Sequence, residues 1–185
     1  MSNANDYEIR NGVLIQYNGN NTNIVIPDGV TAIYDSAFDD CSDLVSVGLP
    51  TSLISIGPGA FMYCSELTDI VFPENLKTIG ESAFACCSSL SKVVVPDGVT
   101  VISEGSFYCC KSLSAVILPD TLEQIDSGAF CKCASLHEII IPASVKLIDE
   151  DSFEDCPDDL IIIGETGSFA EEYAEQNDFA FKAID

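Results

Sequence analysis

Positive charge is scarce in this chain. Seven Lys and Arg residues stand against 30 Asp and Glu, for a formal net charge of −23. Such a surface is repelled by phosphate backbones and by anionic bilayers, which argues against nucleic acid and membrane surfaces as partners. Long apolar runs are missing too: no stretch reaches the roughly 18 apolar residues of a membrane span, so no direct membrane insertion is expected. The start, Met1-Ser-Asn-Ala-Asn-Asp, is short and polar and lacks the regions of a signal peptide. There is a single histidine, His137, and no glycine-rich phosphate loop, Gly57-Pro-Gly59 reading as a turn before a helical segment. Nothing in these features calls for a cofactor, and no enzymatic activity is expected.

What the chain has instead is a repeat. Pro27, Pro50, Pro73, Pro96, Pro119 and Pro142 are spaced 23 residues apart. A period between about 20 and 50 residues is the signature of stacked, quasi-one-dimensional architectures. Counting the opening proline as zero, apolar residues recur at offsets 3, 6, 10, 11, 14, 17, 20 and 22. Offset 6 is Ile in all six units and offset 11 is Phe in all six, from Phe38 to Phe153. One unit cannot bury these side chains alone. Stacked units can, each large side chain contributing roughly 2 kcal/mol before entropy is subtracted.

Spacing also sets local structure. Offsets 20 and 22 point inward around an outward 21, as in Val93-Val94-Val95, which predicts a short strand ended by a proline. Offsets 10, 11 and 14 have helical or 3₁₀ spacing, with Ser103, Asp126 and Asp149 placed as capping residues and Pro58 near the first position. Each coil therefore reads as strand, bend, second extended piece and helical turn.

The nine cysteines follow the same rhythm. Cys41, Cys64, Cys87, Cys110, Cys133 and Cys156 recur every 23 residues, three after the periodic Phe. A position so fixed is a packing position, where a free thiol acts as a small hydrophobe with a weak S–H donor that can meet a backbone carbonyl. The remaining three, Cys86, Cys109 and Cys131, leave an odd total that no closed disulfide framework fits. Cys86 and Cys109 share an offset and are expected near each other on adjacent coils. Redox sensitivity there is an alternative to inert packing.

Residues 1–26 lack the unit pattern. Ile9, Val13, Ile15 and Tyr17 alternate before Asn18-Gly-Asn-Asn-Thr, and Ile24-Val-Ile follows, which reads as a hairpin-like N-terminal cap over an otherwise exposed core end. Residues 27–163 hold the six units, and 164–185 are expected to form a helix and strand that cover the other end. There, Ser168-Phe-Ala-Glu171 has capping-box spacing, Phe169, Ala170, Tyr173 and Ala174 share one helical face up to about Asn177, and Phe179, Phe181 and Ala183 alternate. All three parts are expected to make one continuous domain.

The pattern Pro-x-x-Val/Leu-x-x-Ile-Gly-x-x-Ala-Phe-x-x-Cys-x-x-Leu-x-x-Ile-x-Ile/Leu resembles the leucine-rich repeats of BspA-like surface proteins of gut and oral bacteria and some mucosal protozoa. It covers residues 27 to about 163. The Asn-Gly-Val-Leu and Tyr-Asn-Gly hairpin and the terminal Gly-Ser-Phe-Ala-Glu-Glu-Tyr-Ala segment resemble the pieces that flank such repeats. Departures are local: Gly48 lies where other units carry an outward Val or Ile, and the sixth unit's Leu is displaced to Leu160. The resemblance implies an α/β leucine-rich-repeat solenoid, a right-handed coil of short parallel strands and short helical or 3₁₀ turns. It further implies a secreted or cell-surface bacterial protein that adheres to host matrix or to other cells. Ligand identity and oligomeric state are not legible.

Candidate sites for chemistry are weak. Cys131, Cys133 and His137 lie within seven residues, but zinc sites pair Cys-x₂₋₄-Cys with a second ligand pair, and Cys133 belongs to the buried ladder. A metal- or thiol-dependent enzyme on these residues is a distant alternative. The acidic clusters Asp39-Asp40 with Asp43, Asp149 to Asp151, and Asp155 with Asp158-Asp159 lack the EF-hand spacing and read as solvated charge. Better is the outward row at offset 21, Val71, Val94, Ile117 and Ile140, beside Asp69, Lys92 and Glu138. An apolar stripe on a sheet often marks a protein interaction site; β-branched ladder contacts alone are the competing explanation. A protein or glycoprotein ligand on this face is the expected function, and a structural spacer that displays another domain is the alternative.

Overall fold

The computed structural model describes residues 6–184; residues 1–5, which carry most of the polar start, and Asp185 lie outside the described residues. The 23-residue repeat becomes a coil in which each unit contributes two short strands, and each strand pairs in parallel with its counterpart one unit away. The first row of strands runs Val13–Tyr17, Ala32–Ile33, Ser55–Ile56, Thr78–Ile79, Val101–Ile102, Gln124–Ile125 and Leu147–Ile148. The second runs Asn23–Val25, Ser46–Gly48, Asp69–Ile70, Lys92–Val94, Ala115–Ile117, Glu138–Ile140 and Ile161–Glu165, and closes on Ala180–Ile184. Register follows the period, Ile33 opposite Ile56 in the first row and Val47 opposite Ile70 in the second.

Pairing is not continuous. In the first row it stops between Thr78–Ile79 and Val101–Ile102. In the second row it stops between Asp69–Ile70 and Lys92–Val94, and again between Ala115–Ile117 and Glu138–Ile140.

Inside the coil, the two invariant positions form ladders. Phe38, Phe61, Phe84, Phe107, Phe130 and Phe153 are buried, and neighbouring rings stack with centroids 4.7, 5.1, 5.7, 5.6 and 5.5 Å apart and planes within 10° of parallel. Offset stacking of this kind adds about 0.5–1.5 kcal/mol per pair beyond area burial. The isoleucines at offset 6 are buried beside them in one core cluster.

The offset 10–14 segment shows how a 3₁₀ spacing is realised in a stack. In the first unit Ala37, Asp39 and Cys41 donate to the carbonyls three residues back, while Ser36, Phe38 and Asp40 donate to Pro58, Ala60 and Met62 of the next coil. Every second N–H is drawn sideways, so turns form in place of a continuous helix. Ser36 (φ 56°) and Asp40 (φ 58°) take left-handed conformations that make this alternation possible. Two of the expected caps bond elsewhere: the Ser103 hydroxyl donates to Ile79 O at 2.7 Å on the preceding coil, and the Asp126 carboxylate accepts from Gln124 Nε2 of its own coil.

At the N-terminus, Tyr7–Arg10 pairs antiparallel with Val13–Tyr17. The hairpin turn is Asn11-Gly12, both with positive φ (51° and 78°), the type I′ preference, and not the Asn18–Thr22 segment. Burial within the strand also differs from simple alternation. Leu14, opposite Ile33, and Tyr17, stacked on Phe38 at 5.3 Å, face the core, whereas Ile9 is exposed. Pairing with the first repeat, together with a register shift between Glu8 and Ile9, overrides the hairpin's own pattern.

At the other end, helix Phe169–Gln176 buries Ala170, Tyr173 and Ala174, and Tyr173 meets Phe153 edge-on at 6.0 Å, which ends the stack of parallel rings. Asn177 is its C-cap. The capping box does not form: Ser168 makes no side-chain cap bond and its N–H donates to Glu165 O at 3.1 Å, while Glu171 accepts from Gly167 N, one residue before the N-cap, at 2.6 Å. Strand Ala180–Ile184 then pairs in parallel with Ile161–Glu165, with Phe181 half-buried and Ala183 exposed.

Candidate functional site

The face that stands out is the outer side of the second strand row. Within each strand the pleat sends alternate side chains to opposite faces. Thus Val93 and Val95 are buried while Val94 is 45% exposed. Repeated at 23-residue intervals, this places Val25 (69%), Val71 (73%), Val94, Ile117 (51%) and Ile140 (53%) in one outward file, with Gly48 between the first two. The file ends at Ile163, opposite Ile140 in register but only 6% exposed. Asp69, Lys92 and Glu138 are exposed beside it, and Ala115 is half-exposed. All seven residues singled out in the sequence therefore lie on one surface.

Exposure along the file is uneven for local reasons. Gly48 offers Val71 no side chain on one side, and on the other side lies the break in pairing before Lys92–Val94. That break opens into a cleft of about 790 Å³ lined by Asp69, Val71, Phe72, Lys92, Val94 and Asp97, with Glu74 and Pro96 at its margin. Its floor is apolar, its rim carries three carboxylates against one ammonium. Phe72, Glu74 and Asp97 did not stand out in the sequence, and Pro96 did so only as a repeat-opening proline, because the cleft arises from a lost ladder and not from the repeat pattern. One signal was present: Phe72 is the single aromatic at offset 22, and it packs edge-on against Phe84 at 5.6 Å.

Hydroxyls brace the edge of this face. Thr68, Ser91 and Ser114 each donate to the carbonyl of the residue 23 positions earlier, at 3.3, 3.4 and 3.4 Å. The loop side chains thus continue the backbone ladder between coils.

The cysteine ladder behaves as its periodicity implies. Cys64, Cys87, Cys110, Cys133 and Cys156 donate through sulfur to Phe38, Phe61, Phe84, Phe107 and Phe130 carbonyls at 3.1–3.3 Å. Burial raises these thiols: Cys156 is pushed up to about 11, and Cys87, Cys110 and Cys133 go well above the ordinary thiol value. All nine thiols are free.

The candidate metal triplet is not gathered. Cys133 faces the core, whereas His137 is at the surface with Nδ1 2.6 Å from Asp159 Oδ1. Among the described residues, no three His, Cys, Asp or Glu side chains lie where they could hold a metal ion. Of the acidic clusters, Asp151 has a structural task, accepting from Ser127 Oγ at 2.8 Å and from Gly128 N at 3.2 Å across coils. No helix is long and apolar enough to cross a membrane among the described residues.

Two rows of short parallel strands, a 23-residue period and ladders of Phe, Ile and Cys define a leucine-rich-repeat solenoid. The family model for a BspA type leucine rich repeat region (6 copies) matches residues 9–113 and 31–159, and the chain belongs to that family. A leucine-rich repeat protein from Bacteroides ovatus is 35% identical, with a TM-score of 0.69, over 79% of this chain and 40% of its own. A leucine rich cell surface protein from Faecalibacterium prausnitzii is 31% identical, with a TM-score of 0.70, over 89% of this chain and 52% of its own. The T. pallidum leucine rich repeat protein shares the fold over 98% of this chain and 97% of its own, at 24% identity and a TM-score of 0.75. The chain thus spans about half or less of the B. ovatus and F. prausnitzii proteins. No curated protein matches it.

Proposed function

We propose that this chain is a non-enzymatic protein-binding module of a bacterial surface or secreted protein, which offers the outer face of its second strand row to a protein or glycoprotein ligand in adhesion to host matrix or to other cells. The observation that carries this reading is the file of Val25, Val71, Val94, Ile117 and Ile140, five large apolar side chains left in solvent along the outer side of one strand row. Scattered exposed apolar residues are ordinary on protein surfaces, whereas a contiguous file is the usual mark of an interaction site. Similarity to a cell surface protein of F. prausnitzii supports the location. Asp69, Lys92 and Glu138 supply the polar margin that would orient a ligand.

The test is binding of the protein to a panel of host matrix proteins and mucins by biolayer interferometry near physiological salt, beside a Val94→Glu/Ile117→Glu variant whose fold is checked by circular dichroism. Binding by the parent that is lost in the folded variant is expected. Equal binding by both would move the contact to another face, and no binding by either would favour a spacer that displays a domain outside this chain.

A further inference from the structure

Two of the nine thiols do not belong to the buried ladder and yet stack on one another. Cys86 and Cys109 occupy the same offset in adjacent units, both are half-exposed, and both sit in left-handed backbone at φ 62° and 59°. The coils that carry them are tied in register by Phe84 N to Ser106 O at 2.8 Å and Cys86 N to Tyr108 O at 2.7 Å. Backbones bonded in this way lie about 4.8 Å apart, inside the 4.4–6.8 Å range of Cα distances that a disulfide spans, and the Cys86 and Cys109 side chains meet in a hydrogen bond. Cys131, the remaining thiol outside the ladder, is buried one offset away and has no such counterpart.

The joint between these two coils is also the loosest in the first strand row. Strand pairing stops there, between Thr78–Ile79 and Val101–Ile102. In the two preceding units Gly57 N and Gly80 N donate to Ile33 O and Ile56 O at 2.9 Å, but at this joint the Ser103 hydroxyl takes Ile79 O instead. The Phe84–Phe107 step is the longest of the five in the Phe stack. A covalent link between Cys86 and Cys109 would close this joint on the turn side.

We propose that Cys86 and Cys109 are a redox-active pair that closes into an inter-coil disulfide by exchange with a small-molecule disulfide. The Cys86 thiolate attacks one sulfur of the small disulfide, which releases one small thiolate and leaves a mixed disulfide on Cys86. The Cys109 thiolate then displaces the second small thiolate, and two protons return to the two small thiols. The protein loses two electrons and the small disulfide gains two. The ladder cysteines beside them, Cys87 and Cys110, take no part, because their sulfurs are committed to the Phe61 and Phe84 carbonyls and burial disfavours their thiolates. Burial, and after it the neighbouring Cys109, also raises the Cys86 thiol, though it is half-exposed where Cys87 and Cys110 are buried.

The experiment incubates the reduced, native chain with glutathione disulfide at pH 8.5 and follows it by intact mass, by thiol titration in denaturant and by non-reduced peptide mapping. The expected product has lost two hydrogens, titrates as seven thiols where the reduced chain has nine, and yields a peptide linking Cys86 to Cys109. Its thermal midpoint should rise by about 5–10 °C over the reduced chain, as expected for closing a loop of this length. Cys109→Ser should stop at a stable glutathione adduct on Cys86. A native chain that keeps nine titratable thiols, or whose only link joins ladder cysteines, would overturn the proposal. So would a stable Cys86 adduct with Cys109 left free in the unmutated protein, a result that needs no variant to fold.

Discussion

Removing one ring from the middle of the Phe ladder should cost more than removing a comparable side chain from a globular core. Phe84 is fully buried, stacked on Phe61 at 5.1 Å and Phe107 at 5.7 Å, and touched edge-on by Phe72 at 5.6 Å. In Phe84→Ala the lost transfer of the ring is about 2.5 kcal/mol. A void of about 80 Å³ that the backbone-bonded coils cannot close adds about 2 kcal/mol at about 24 cal/mol per Å³. The sum, about 4.5 kcal/mol, lies in the upper part of the range seen for such truncations. Because coils are coupled only to their neighbours, the loss falls on both interfaces of the Pro73 unit. The assay is urea unfolding followed by circular dichroism and tyrosine fluorescence. The variant is expected to unfold at much lower urea and in two phases, as the N- and C-terminal coils uncouple. A single transition shifted by less than about 1.5 kcal/mol would refute the reasoning, since it would mean that the ladder relaxes around the gap.

Gly80→Ala should destabilise by about 2 kcal/mol or more, because the added methyl would lie 2.6 Å from Pro58 N and 2.7 Å from Gly57 C, backbone that cannot move aside; urea midpoints check this. Asp151→Ala removes the acceptor of Ser127 Oγ and Gly128 N and should cost about 1–2 kcal/mol by the same assay. Stability should also fall in alkali. The Cys156 thiol has a pKa raised to about 11 from 9.0, so across that interval the native state holds a proton that the unfolded state has released, and stability present below about pH 9 is lost as pH rises. Urea midpoints at pH 8 and pH 10 measure the drop, and Cys156→Ala should make it shallower.

The sequence is a good guide to this molecule wherever the determinant recurs. Phe38 to Phe153, the offset-6 isoleucines and the ladder cysteines repeat because each must meet its own copy one coil away, and periodicity reports such contacts directly. The outward file of Val71, Val94, Ile117 and Ile140 was legible for the same reason, since the pleat fixes which face a residue takes once its neighbours are assigned. What escaped was set by single joints. The cleft beside Phe72 and the gap between Ile79 and Ile102 depend on whether two particular coils keep their backbone bonds. Local signals misled where the stack outcompeted them: Ser103 and Ser168 have capping residues' identities, but the Ser103 hydroxyl goes to the preceding coil and Ser168 makes no cap bond. Likewise Leu14, not its alternating neighbours, faces inward because Ile33 pairs with it.

A repeat protein confines its individuality to positions that stacking leaves unconstrained. At offset 11 the core demands Phe in every unit; at offset 19, beside the exposed file, the chain carries Ser46, Asp69, Lys92, Ala115 and Glu138 in turn. These residues do not share a chemistry, although they share a location and a backbone geometry. Ladder contacts alone would favour β-branched residues there as well as at offset 21, yet at offset 19 only Ile161 of the last unit is β-branched. A ligand laid along the proposed face would therefore meet an apolar line whose margin changes sign from coil to coil, negative at Asp69, positive at Lys92, neutral at Ala115 and negative at Glu138. Such an order distinguishes one end of the face from the other, which a uniform stripe could not do. The apolar file would supply adhesion and the varied margin its direction, so charge reversal at Lys92 should alter the choice of ligand while leaving the coil intact.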